Sequence, residues 1–288
     1  MTHKLNYPAN AFGLHGREYI VYDNSYEFDL VTLKHMIDYA NMAKQFMNKP
    51  FSNPYDIVGN YEWHQNFPYV ECLTRGIDLP EKAFMCDFGC GPGRMVQQFK
   101  DRAYVMDGID VSTFALDYLR KQFDTDSRNT FYESSGIDLG DANDDTYDLV
   151  FSTIAIQHIP SRTIRNNIFR GIHNIVRPGG YMSVQMGYHP TYGAGRWSHD
   201  TEHATYMTDF WNAQGTNGHA DVVINQEALP LLRKDIADIF RVTEDEVVFD
   251  FENVDQKYAN LGGAYHAPYW CSDWIFIKVK KPDYETWA

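Results

Sequence analysis

The chain is poor in cysteine, in positive charge and in long apolar runs, and each shortage removes a class of protein. Its four cysteines, Cys72, Cys86, Cys90 and Cys271, include no Cys-x-x-Cys pair. That argues against a disulfide framework and against a zinc site, and it fits reduced thiols in a cytosolic protein. No apolar stretch approaches the roughly 20 residues a membrane span needs. Met1-Thr2-His3-Lys4-Leu5-Asn6 also lacks the apolar core of a secretory leader. The expected location is therefore the cytoplasm, with no membrane partner. Lys and Arg number 25 against 39 Asp and Glu, a formal net charge of −14. Phosphate backbones require clustered cations, so no nucleic-acid partner is expected, and a small neutral or cationic ligand is easier to accommodate. The chain has no internal repeat, no low-complexity tract and no Gly-Lys-Ser/Thr that would grip nucleoside phosphates.

What is present is a core-forming composition, 44% apolar and 22% charged over 288 residues, enough for one large α/β domain with additions. The chain is organised around Phe84 to Val96. A short apolar run (Phe84, Met85, Cys86) leads into Asp87-Phe88-Gly89-Cys90-Gly91-Pro92-Gly93-Arg94, and a helical pattern (Met95, Val96, Phe99) follows. That order is strand, tight turn, helix. Glycines there permit the sharp turn and let a ligand lie against the main chain. Gly89-x-Gly91-x-Gly93 is not the dinucleotide fingerprint, whose third glycine comes three residues after the second instead of two.

Alternation of strands and helices continues. Ala103 to Ile109 reads as a second strand ending in Asp110-Val111-Ser112, with Ser112 placed to cap a helix whose apolar face is Leu116, Leu119 and Phe123. Asp110 follows Asp87 at about the 20-residue spacing from which an acid reaches a ribose, and a carboxylate there can accept from both hydroxyls. Thr130 to Ser134 is a third strand, followed by Ser135-Gly136-Ile137-Asp138-Leu139. Tyr147 to Thr153 is a fourth, almost continuously apolar as a two-sided buried parallel strand should be. Ile164, Ile168, Ile172 and Ile175 give the cleanest helical spacing; Arg177-Pro178-Gly179-Gly180 stops that helix, and Tyr181 to Met186 is a fifth strand. A helix over Pro230 to Phe240 and strands at Glu246 to Glu252 and Asp273 to Lys280 close the chain. Residues 1 to about 27 read as an irregular arm. Phe28 to Met47 reads as a helix, and Tyr69 to Ile77 as another.

The Asp-x-Gly-x-Gly-x-Gly turn, the acid one strand later and the Arg-Pro-Gly-Gly turn, in this order over residues 84 to 186, resemble the class I S-adenosylmethionine-dependent methyltransferases of small-molecule type. The resemblance implies an α/β fold, a doubly wound, seven-stranded, mostly parallel sheet of the Rossmann-like kind. Residues 1–80 would be an N-terminal arm and helical cover and 81–288 the methyltransferase domain, with a substrate lid at 187–222. It implies S-adenosyl-L-methionine as cofactor: Asp87, Gly89, Gly91 and Gly93 at its methionine portion, Asp110 at the ribose, Asp138 and the Ile137 amide at adenine. Asp138 also reads as an ordinary turn residue. Cys90, Arg94, Val111, Ser112, Gly136, Ser152, Thr153 and Gln157 complete the cofactor-binding set. Asn53-Pro54-Tyr55-Asp56 is superficially similar to the Asn-Pro-Pro-Tyr loop of methyltransferases acting on nucleic-acid bases, but it lacks the second proline and reads as a turn.

Ligands in open α/β sheets sit beyond the carboxyl ends of the strands, which puts Ser152 through His158 at the transfer edge. His158 is the leading base, since its ordinary pKa near 6.5 suits proton acceptance at neutral pH. A loop-shaping role is the alternative. His199 and His203 are rivals; their i, i+4 spacing lacks a third ligand, so no metal is expected. Trp63, His64, Tyr188, His189, Tyr192, Trp197 and His219 are the acceptor-binding candidates. Phe67 and Tyr69 either join that cover or simply pack added helices onto the domain. The expected reaction is methyl transfer to an oxygen or nitrogen of a small molecule, such as a sugar derivative or other hydroxylated metabolite. A non-catalytic cofactor-binding module and a protein or nucleic-acid methyltransferase remain the alternatives, and a homo-oligomer is compatible with the sequence.

Overall fold

The computed structural model describes residues 3–6, 18–21, 67–123, 128–159, 162–188, 223–224, 226, 228–253 and 273–283. Seven strands form one sheet in the order β5-β4-β3-β6-β7-β10-β9: β3 (Ala83–Phe88), β4 (Ala103–Asp110), β5 (Phe131–Glu133), β6 (Tyr147–Ser152), β7 (Val176–Tyr188), β9 (Val248–Asn253) and β10 (Asp273–Lys280). β5 through β7 run parallel, and β10 is antiparallel to both its neighbours. The doubly wound, mostly parallel sheet expected from the sequence is thus present.

Helices cover both faces, which is why the central strands are apolar throughout; every residue of β6 is buried. On one face lie α1 (Tyr69–Thr74), α2 (Arg94–Phe99) and α3 (Thr113–Phe123), whose Leu73, Phe99, Leu116 and Leu119 pack with Met85, Phe151 and Phe276. On the other lie α4 (Arg162–Ile175) and α5 (Leu229–Phe240), with the four isoleucines of α4 and Leu232, Ile236 and Phe240 of α5 against Val150, Met182 and Ile277. Between β5 and β6 no helix forms; Ile137 and Leu139 from the connection plug the second core instead.

Four features depart from the sequence reading. The N-terminal arm is not wholly irregular, because β1 (His3–Asn6) pairs antiparallel with β2 (Glu18–Val21). β7 begins at Val176, directly after α4. Its pairing passes from Tyr147↔Val176 to Leu149↔Tyr181, so Arg177 to Gly180 bulge opposite Asp148. Asp148 holds that bulge, taking Arg177 as an ion pair and the Phe84 amide at 2.8 Å. β9 starts after a short 3₁₀ turn at Glu244–Glu246 whose Thr243 and Glu246 make a reciprocal capping box. Finally, an eighth strand, β8 (Val223–Ile224), lies parallel to the end of β7 through Gly187↔Val223 and Tyr188↔Ile224. Since β10 already occupies the other edge of Gly187 and Tyr188, β8 fills the edge that β6 vacates after Ser152. The expected N-terminal helix at 28–47 and nearly all of the expected lid, residues 189–222, lie outside the described residues.

Strand registry places Asp87, Phe151, Ser183 and Lys278 in one row across the sheet. The Ser183 hydroxyl is fully buried and has no hydrogen-bond partner among the described residues. Ser183→Ala is therefore expected to leave stability unchanged or raise it by up to about 1 kcal/mol, measurable as the melting temperature.

Candidate active site

The glycine turn is tied to the end of β4. The amides of Gly89 and Cys90 both donate to the Ile109 carbonyl, at 2.7 and 3.1 Å. Gly91 donates its amide to Asp110 Oδ2 and Ser112 to Asp110 Oδ1, each at 2.8 Å. Asp110 is partly exposed, and a carboxylate has about four acceptor positions, so capacity remains for hydroxyl donors. Partial desolvation raises its pKa, and the backbone amides of Ser112 and Gly91 oppose that. Ser112 caps α3 as expected, accepting the Ala115 amide on Oγ at 3.3 Å, while Val111 is half-buried between the two.

The glycines divide by role. At Gly89 (φ +73°) a Cβ would stand 2.2 Å from the Ala155 Cβ, and at Gly93 (φ +96°) 2.2 Å from Leu119 Cδ2. Both are closed by protein. Gly91 (φ +50°) has nothing among the described residues within 4 Å of a Cβ position, so of these three glycines it is the one that presents bare backbone. Cys90 is buried beneath, its Sγ against Gly108, and burial pushes its thiol well above the usual range. Its thiol packs in the core beneath the turn.

Asp87, next to last in β3, is almost fully buried, and its Oδ1 has no hydrogen-bond partner among the described residues. Burial raises its pKa well above the carboxylate range; Arg94 works against this and Asp110 adds to it. Arg94 lies with its guanidinium carbon 4.3 Å from the Tyr69 ring centre and donates to Thr153 Oγ1 at 3.0 Å. Tyr69 in turn stacks on Trp274, with Phe67 edge-on to the same indole. The aromatic pair before the glycine turn packs α1 onto the sheet, and Tyr69 also meets Arg94.

Beyond β6 the chain makes a strained loop. Ser152 Oγ anchors the strand end to the Phe88 carbonyl at 2.8 Å. Ile154 has φ +58°, a left-handed conformation that costs a β-branched residue roughly 1–3 kcal/mol. Gln185 of β7 holds it there, accepting the Ile154 amide at 2.7 Å and donating to Gln157 Oε1 at 3.1 Å. The loop lays Ala155 against Gly89 and leads into a 3₁₀ turn, Ile156–His158, which presents half-buried His158.

At the β5 end, Asp138 is turned inward. Its Oδ1 accepts the Ser135 and Gly140 amides at 3.0 and 3.1 Å, and Ser134 Oγ donates to its carbonyl. Gly136 (φ +95°) makes the turn, and the Ile137 carbonyl is fixed by Asn167 of α4 at 2.6 Å. Asp138 thus holds the turn through its own side chain.

The fold brings Asp87, the glycine turn, Arg94, Asp110, Thr153, Gln157 and His158 to the carboxyl edge of adjacent strands. Tyr188, expected as an acceptor contact, is buried on the α4–α5 face and donates from its hydroxyl to Gln226 Oε1 at 2.9 Å. Trp63, His64, His189, Tyr192, Trp197, His199, His203 and His219 lie outside the described residues. Gln185 escaped the sequence reading; the available signal was a long polar side chain between Val184 and Met186 in a strand otherwise fit for burial.

Residues 85–180 match the family model described as a methyltransferase domain, a span running from β3 through the Arg-Pro-Gly-Gly bulge. Over that span the chain carries a methyltransferase domain, and its motifs resemble those of the class I S-adenosylmethionine-dependent methyltransferases. The chain is similar to trans-aconitate 2-methyltransferase of Variovorax paradoxus, 30% identical over 129 residues; these are 44% of this chain and 46% of that protein, so the match spans about half of the relative. Two solved structures share the methyltransferase fold. One is a chain of the complex between the Haloferax volcanii Trm112 methyltransferase activator and a methyltransferase, with TM-score 0.51, 14% identity, and coverage of 79% of this chain and 92% of that one. The other is the Haemonchus contortus phosphoethanolamine N-methyltransferase 2, with TM-score 0.50, 18% identity, and coverage of 77% and 53%.

The site fits S-adenosylmethionine on two observations among the described residues: a buried carboxylate oxygen without a donor at Asp87, and open backbone at Gly91. S-adenosylmethionine carries an amino group that can donate to the first and a methionine portion that can lie along the second.

Proposed function

We propose that this methyltransferase moves a methyl group from S-adenosylmethionine to an oxygen or nitrogen of a small molecule such as a sugar derivative or other hydroxylated metabolite. The observation that carries the reading is the Asp87 carboxylate, desolvated and with Oδ1 lacking a donor among the described residues, at the mouth of the glycine turn. The bound cofactor supplies an electrophilic methyl on a sulfonium. Residues of the chain do the rest: Asp87 and Gly91 orient the methionine portion, Asp110 accepts from the ribose, and the loop from Thr153 to His158 faces the acceptor. Alignment of a nucleophile at about 3–3.5 Å and exclusion of water are the main requirements. The net charge of −14 and the small-molecule name of the Variovorax relative support a metabolite over a polyanion. In this reading residues 81–288 are the catalytic unit and residues 1–80 its cover, of which α1 is the described part that touches the site.

If the acceptor is a hydroxyl, His158 takes its proton. His158→Ala is then expected to lower kcat by roughly 10²- to 10⁴-fold with cofactor affinity unchanged; equal turnover would reduce His158 to a loop-shaping role. The proposal itself is tested by incubating the protein with methyl-labelled S-adenosylmethionine and a metabolite extract. Label in a small molecule supports it, whereas label confined to protein or nucleic acid, or no S-adenosylhomocysteine at all, refutes it.

A further inference from the structure

We infer that Gln185 is a positioning residue of the cofactor site, acting through the backbone of Ile154; the inference rests on the reading of the glycine turn as the seat of S-adenosylmethionine. Gln185 is the first residue of β7 past its last pairing with β6, Ser152↔Val184, and its side chain is fully buried. The Ile154 amide can only donate, so the carboxamide oxygen must face it and the carboxamide nitrogen must face Gln157 Oε1; the observed 2.7 and 3.1 Å contacts have that polarity. One side chain therefore grips both ends of the loop after β6. It holds the entry at Ile154, whose φ of +58° an isoleucine adopts only under external constraint, and it holds Gln157 in the turn that carries His158.

The consequence reaches the cofactor turn through Ala155. With Ile154 left-handed, Ala155 lies so close to Gly89 that no side chain fits between them. The preceding residue, Thr153, accepts the hydrogen bond that orients Arg94. Without the Gln185 acceptor, a buried amide loses its partner and Ile154 relaxes toward negative φ. Ala155 then lifts from Gly89, and Thr153 turns away from Arg94. Gln185 touches neither Gly89 nor Arg94 in this arrangement, yet it sets the wall against which both are placed.

The test is a double-mutant cycle read by calorimetric titration of S-adenosylhomocysteine. Gln185→Met, nearly isosteric but without the amide, is expected to weaken binding about tenfold in the wild-type background. In an Ile154→Gly background, where glycine adopts the left-handed conformation unaided, the same substitution is expected to change binding by less than about threefold. Gln185→Glu keeps an acceptor for Ile154 and, with the Gln157 amide turned, a donor for itself; it is expected to stay within about threefold of wild type. Melting temperatures accompany each variant, since a purely structural role would lower stability equally in both backgrounds. An equal effect of Gln185→Met in the wild-type and Ile154→Gly backgrounds overturns the inference, as does the absence of an effect in wild type. Failure of the unmodified protein to bind S-adenosylhomocysteine would instead overturn the cofactor reading beneath it.

Discussion

Asp87→Asn is expected to weaken binding of S-adenosylmethionine roughly 10- to 150-fold while making the ligand-free protein about 1–3 kcal/mol more stable at neutral pH. Both effects have one cause. The carboxylate is held at 1% exposure with one oxygen lacking a donor, so ionising it in the ligand-free fold is unfavourable and its pKa rises well above the ordinary range. A carboxyl whose pKa is higher folded than unfolded binds more protons in the folded state. Its stabilising contribution is full below the unfolded value of about 3.9 and is lost as pH rises through the folded value. The wild-type protein should therefore lose stability across that window, and Asp87→Asn should not. Cofactor affinity should move the opposite way, growing with pH as the carboxylate ionises and can receive the amino group. Thermal melts and titrations of both proteins across pH check the two slopes. Parallel stability curves would remove Asp87 from this role.

Gly91→Ala and Gly89→Ala are expected to fail differently. A methyl group at Gly91 meets no atom of the described residues, so the fold pays only for a left-handed alanine, about 1–2 kcal/mol, while the cradle is filled where the cofactor would lie. Affinity should drop roughly 5- to 150-fold, the scale of a steric insertion into a packed site. At Gly89 the methyl would overlap the Ala155 Cβ, an atom fixed to the backbone of a loop already strained at Ile154. That variant should lose roughly 2–5 kcal/mol of stability, and its cofactor defect should follow from its loss of fold. Melting temperature against S-adenosylhomocysteine affinity for the two proteins separates the cases. Similar melting temperatures would contradict the division of roles in the turn.

The large-scale architecture was legible because it is written in local pattern. β6 reads as a buried parallel strand from Tyr147, Leu149, Val150 and Phe151 in close succession, and the isoleucines of α4 recur at helical spacing onto one core face. The glycine turn, Asp87 and Asp110 could be placed because each ends a strand that such patterns define. What escaped depends on contacts between distant segments. β8 is two residues that become a strand only because β6 has left an edge of β7 open. The bulge at Arg177 to Gly180 exists because Asp148 and the main chain of Lys281 hold it, and the sequence alone showed only the turn signal. Gln185 matters through the amide of Ile154, 31 positions earlier, and a left-handed isoleucine has no sequence signature. Asp138 shows the reverse limit: an acid in a glycine-containing turn reads equally as ligand or as scaffold, and its amide contacts give it a scaffold role.

The most direct measurement is a calorimetric titration of S-adenosylmethionine into the unmodified protein, repeated with Asp87→Asn. Saturable binding with one site per chain, weakened in the variant to the extent given above, is the expected result. No saturable heat with wild type, or equal affinity in the two proteins, would contradict the placement of the cofactor between Asp87 and the open backbone at Gly91.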